Sequence, residues 1–258
     1  MEGHNLCLSQ GRSEAKDMGI TYRDEIKMAE VALKRSIVYE LLAHAFGEPE
    51  REFFEFLKDG EFSLHIIDAL TFHPCLKEGV IPLIREIDLK MRDLKIEDLR
   101  ENYELIASRE KNLLYEGNYH PLFNVFEEMA DIAGFYRAFG ANFSGERPDH
   151  ICFELEFMRL LCLLESKALL QAEHEKAEIC ISSQKKFLSE HLGRWTEDLM
   201  EKTAGIPFYG RLCEILERWI EMELELLSVK RTRLIYSQNI YVENSYQCIK
   251  EVGYEGIQ

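Results

Sequence analysis

The stretch Ser144 to Glu165, SGERPDHICFELEFMRLLCLLE, limits the fold more than any other part of the chain. Gly140, then Ser144-Gly145 and Pro148, are turn chemistry. Asp149 follows the proline and heads an unbroken helix-forming run, where a carboxylate accepts a bond from an orphan first-turn N–H, so it reads as the N-cap. Ile151, Leu155, Met158 and Cys162 share one helical face, and Phe153, Phe157, Leu160, Leu161 and Leu164 fill most of the remainder. A helix apolar nearly all round belongs in the middle of a bundle.

Three polar groups sit in that cylinder: His150, Glu154 and Glu156. His150 and Glu154 are four apart and share a face one turn from the helix start. An unpartnered buried charge is expensive. Two readings follow: these groups pair with each other or rise to the rim as architecture, or the Asp149-His150-Glu154 corner lines a cleft.

With only 6 prolines and 15 glycines in 258 residues, long stretches are free of breakers. Ile26, Ala29, Leu33, Ile37, Leu41 and Leu42 repeat at helical spacing from Thr21 until Gly47-Glu48-Pro49. A short aromatic helix is expected over 50–58, with Phe53, Phe54 and Phe56 read as core. Residues 60–82 are punctuated by Gly60, Pro74, Gly79 and Pro82 around one short helix, and a long amphipathic helix or broken pair covers 83–107. Further helices are expected over 121–139, 175–192 and from Phe208-Tyr209 onward. Glu214, Glu217, Glu221 and Glu225 on the last read as a solvated face. Gly134, inside the 121–139 helix, costs about 1 kcal/mol against alanine; it marks close approach of a neighbouring helix or of a bound peptide. The expected fold is an all-α, single-domain bundle of about eight to ten helices over 21–230. Residues 1–20 form a disordered or loosely attached extension, and 231–258 a tail.

A net charge of −16 argues against nucleic acid as a partner and suits a basic one. No run of about 18 apolar residues exists, so no stable membrane insertion is expected, and the first 19 residues lack the apolar core of a secretory signal. Seven cysteines without a CxxC pair fit neither a disulfide framework nor a zinc site, which points to a reducing compartment. There is no Walker-A loop, GxGxxG, HExxH or GxSxG, and none of the 8 histidines has a glutamate three residues before it. His150 and Glu154 alone make a poor metal site. No cofactor, metal or catalytic residue is assigned.

The order Glu146, Pro148, Asp149, His150, Glu154, Leu155, Phe157, Met158 resembles the signature of the TorD/DmsD/NarJ family. Tyr39-Glu40-Leu41-Leu42 with Phe46 and Pro49, Tyr115-Glu116 with Tyr119, and Phe187-Leu188-x-x-His191-Leu192-x-x-Trp195 are similar to further family elements in the same order. The resemblance implies a cytoplasmic chaperone, monomer or homodimer, and no enzyme. It would bind the twin-arginine signal peptide or the apo-form of a molybdopterin oxidoreductase catalytic subunit until cofactor is inserted. Such a leader needs a groove apolar inside and acidic at the rim. Between residues 120 and 175, ten Asp/Glu stand against four Lys/Arg, a local −6. Asp149, Glu154 and Asp131 are candidates to meet guanidinium groups, and Tyr119, Phe135, Tyr136 and Leu155 to form the apolar floor. Pro148, His150 and Gly134 complete the set. The competing expectations are a helical metal- or nucleotide-dependent enzyme using Asp149, His150 and Glu154, or a stable subunit of an oxidoreductase complex.

Overall fold

The computed structural model describes residues 21–108, 110–119, 124–142 and 147–232. The expected 1–20 extension, nearly all of the 231–258 tail and Glu146 lie outside them. Ten α-helices are present among the described residues: α1 (Tyr22–Ala45), α2 (Arg51–Lys58), α3 (Glu61–Ala69), α4 (Pro74–Met91), α5 (Ile96–Ala107), α6 (Val125–Ala138), α7 (Ile151–Leu170), α8 (His174–Glu190), α9 (Thr196–Thr203) and α10 (Tyr209–Leu226). No strand occurs among those residues; one isolated antiparallel bridge joins Tyr115 to His150.

Local chemistry fixes the ends. Thr21 and Asp24 cap α1 reciprocally, the threonine side chain accepting from Asp24 N–H and the Asp24 carboxylate from Thr21 N–H. Asn124 caps α6 through Phe126 N–H at 3.2 Å. Two departures from the sequence reading are instructive. Pro82 was expected to punctuate the chain, yet α4 runs through it from Pro74 to Met91. A helix-interior proline costs about 3 kcal/mol, and burial of Val80, Leu83, Ile84, Ile87 and Met91 offsets that. Glu217, expected on a solvated face, is buried, accepting from Thr196 Oγ1 at 2.7 Å and pairing with Arg231 at 2.6 Å.

Helix α7 is the central element, packed along α1 and against α8. Ile151, Leu155, Met158, Leu161 and Cys162 are fully buried in the single large core, where Tyr39 and Trp219 meet edge to face at 5.3 Å. Four helices converge on one buried cation. Arg35 of α1 donates to both carboxylate oxygens of Glu223 on α10 at 2.7 Å, to Glu165 on α7 at 3.1 Å, and to Gln184 on α8. Tyr39 also donates to Glu223, at 2.9 Å. No helix among the described residues is long and apolar enough to cross a membrane.

Candidate functional site

Three segments, 113–119, 147–158 and 187–195, fold onto one another at the N-terminal end of α7. Backbone pairing joins the first two: Glu116 N–H donates to Asp149 O at 3.0 Å, and Ile151 N–H to Leu114 O at 2.9 Å. Gly117 makes this approach possible. Its N–H donates to Asp149 Oδ2 at 3.0 Å, and a Cβ there would meet Val125, Arg147 and Asp149 atoms at 2.9–3.0 Å.

The start of α7 differs from the sequence expectation. Its N-cap is His150, in extended conformation, whose Nδ1 accepts from Cys152 N–H at 3.2 Å. Asp149 is displaced from that role because its buried carboxylate takes the Arg147 guanidinium, Nε at 2.9 Å, together with Gly117 N–H. Arg147 in turn lies 4.5 Å from the Tyr115 ring centroid. Burial brings His150 down to about 4, against a smaller opposing pull from Asp149. The imidazole is thus neutral at pH 7, as an Nδ1 acceptor must be.

Glu154 is fully buried and accepts from Trp195 Nε1 at 3.2 Å. Burial, then the nearby Glu116 carboxylate, hold its carboxyl well above the usual range, with the Trp195 bond working the other way. Tyr119 packs on Trp195 at 5.0 Å between centroids and donates to Leu113 O at 2.8 Å. Tyr136 donates to Pro148 O at 2.9 Å, tying α6 to the corner.

His191, buried at the end of α8, bridges Glu116 through Nδ1 and Asp131 of α6 through Nε2, both at 3.2 Å. Burial pulls its pKa down, but the bond to Glu116 and the Asp131 carboxylate more than reverse this, so it lies above the ordinary histidine value. When the ring is protonated, both nitrogens donate to these carboxylates. Glu128 stands 3.8 Å from Nδ1 and 3.4 Å from Arg194.

Of the ten residues singled out from the sequence, Pro148, Asp149, Glu154, Leu155, Tyr119 and Tyr136 are buried; His150, Asp131, Gly134 and Phe135 keep exposed surface. Among the described residues nothing lies within 4 Å of where a Gly134 Cβ would stand, so none of the described helices approaches it closely. Asp149, His150 and Glu154 do not converge on one point. Among the described residues the metal-capable groups centre instead on His191, with Glu116 and Glu128 or with Asp131 and Glu190. The contacts the sequence did not disclose are Arg147 on Asp149, Trp195 on Glu154 and Glu116 on His191. Glu116, His191 and Trp195 each stood inside a quoted family element, but nothing along the chain says which elements meet.

A family model described as "Nitrate reductase delta subunit" matches residues 74–201. The chain is 28% identical over 221 residues to the perchlorate reductase assembly chaperone protein of Dechloromonas aromatica (strain RCB), an alignment covering 80% of this chain and 96% of that one. It is 33% identical over 112 residues to the chlorate reductase assembly chaperone protein of Ideonella dechloratans, covering 39% of this chain and 57% of the relative. It is 30% identical over 123 residues to the selenate reductase assembly chaperone protein of Thauera selenatis, covering 43% and 63%. These matches agree with the helical bundle and the converging elements around α7, and together they support a molybdoenzyme maturation chaperone family for this chain.

Proposed function

We propose that the client is the molybdopterin-containing catalytic subunit of an oxyanion reductase, held in the cytoplasm as apo-protein, or through its twin-arginine leader, until the cofactor is in place. The near end-to-end similarity to a perchlorate reductase assembly chaperone carries this reading; the other two relatives are named for chlorate and selenate reductases. The −16 net charge suits a leader that opens with arginines. Within the corner, the surface-reaching His150, Asp131, Gly134 and Phe135 are proposed to touch the client, and the buried Pro148, Asp149, Glu154, Leu155, Tyr119 and Tyr136 to hold them in place.

Affinity capture from the native cell tests this. The expected partner is a reductase catalytic subunit lacking molybdenum. A stable complex with the loaded, mature enzyme would overturn the proposal and favour a permanent subunit.

A further inference from the structure

An open groove of about 960 Å³ runs between the second half of α1, α2 and the first turns of α7. Its floor is apolar: Ile37, Leu41, Phe53, Phe56 and Phe153. Phe53 and Phe56 lie 6.0 Å apart, and Phe56 stacks on His65 at 5.8 Å. Of the trio expected in the core from the sequence, Phe54 is buried, while Phe53 and Phe56 are partly buried, packed against the core and lining the groove. Its rim carries Glu40, Glu48, Glu50, Glu52 and Glu156, and no lysine or arginine lines it. Arg159, one turn further along α7, pairs with Glu40 at 3.3 Å and Glu156 at 3.1 Å. The opposite rim of Glu48, Glu50 and Glu52 is exposed and has no ion pair among the described residues.

A groove with an aromatic floor and a carboxylate rim has the form in which apolar side chains are buried and flanking charges fix orientation. The complement of this groove is a polypeptide with apolar side chains flanked by cations. At the Asp149 corner the carboxylates are already engaged, Asp149 by Arg147 and Glu154 by Trp195. In the groove, Glu48, Glu50 and Glu52 carry no ion pair among the described residues.

We propose that this groove receives a cationic, apolar-rich segment of the client polypeptide, its apolar side chains on Phe53, Phe56 and Phe153 and its arginines or lysines at Glu48, Glu50 and Glu52. The proposal rests on the chaperone reading above and adds a docking surface to it. Phe153 joins the two regions, since its ring centroid is 6.0 Å from that of His150.

The test uses the full chain and a synthetic peptide of two arginines followed by an apolar run, carrying a photoreactive benzoylphenylalanine. Crosslinks are expected within residues 37–56 and 152–156. The triple variant Glu48→Gln, Glu50→Gln, Glu52→Gln, altered only at exposed positions, should lose about ten-fold in affinity at low salt. That difference should shrink at high salt as the charges are screened. Crosslinks confined to α6 or residues 113–119, with the triple variant binding like wild type, would overturn the groove. So would a dimer whose copies occupy it and exclude the peptide. If the triple variant still captures the apo client at wild-type level, the groove falls and the chaperone reading stands. If wild-type protein captures no client, the chaperone reading falls and takes the groove's occupant with it.

Discussion

Asp149 places a buried carboxylate under three donors, two from Arg147 and one from Gly117 N–H. An N-cap alone would tolerate Asp149→Asn, because asparagine and aspartate cap almost equally well. With the Arg147 pair in place, the same substitution is expected to cost about 1.5–3 kcal/mol, the range for a hydrogen bond to a charged group. Urea unfolding measures it; a wild-type midpoint would mean that the pair adds nothing. Glu154 behaves in the opposite sense. Its carboxyl is held well above the ordinary glutamate range, so the folded state keeps a proton that the unfolded chain releases, and that contribution is lost as pH rises. Glu154→Gln retains an acceptor for Trp195 and has no proton to lose. Relative to this variant, wild type should lose stability as pH climbs above the ordinary glutamate value; parallel stability curves would refute the assignment.

At the scale of elements, α7 organises the bundle, and its packing sets the size of two effects. Leu155 and Phe157 are both buried in the main core, so truncation to alanine should cost about 2–5 kcal/mol through the cavities left behind. Thermal or denaturant unfolding of Leu155→Ala and Phe157→Ala checks this, and an unchanged midpoint in either would mean that α7 is not the core it resembles. Much of this was legible in the chain, because period and capping residues are local. The apolar girdle of 151–162 announced a central helix, and Thr21 announced where α1 begins. What escaped depends on distant partners. Pro82 looks like a stop until the buried face of α4 is weighed against it. Asp149 looks like a cap until Arg147 and Gly117 are brought beside it. Which of the ten singled-out residues are buried and which reach the surface emerges only when residues 113–119 and 187–195 fold against the start of α7.

For the molecule as a whole, two histidines with opposite shifts frame the pH range of stability. His150 is depressed to about 4, so its neutral, capping form stabilises the fold above the ordinary value near 6.5 and that contribution fades as pH falls toward 4. His191 is raised, so its imidazolium bridge stabilises below the ordinary value and is lost as pH rises through the elevated one. With the Glu154 contribution removed by Glu154→Gln, melting temperature should therefore fall off on both sides of a maximum near neutrality. His150→Asn, a cap that does not titrate, should flatten the acid side, and His191→Gln the alkaline side; an unchanged profile in both would remove the histidines from the explanation. The cation at the centre of the bundle sets a different kind of limit. Arg35 leaves the ribosome early, yet its Glu223 partner lies 188 residues further on, with Glu165 and Gln184 between. A guanidinium buried before its carboxylates arrive would be strongly unfavourable. The first helix must therefore wait in water through most of translation, and a ribosome stalled before residue 223 should present a nascent chain that proteases still cut near Arg35.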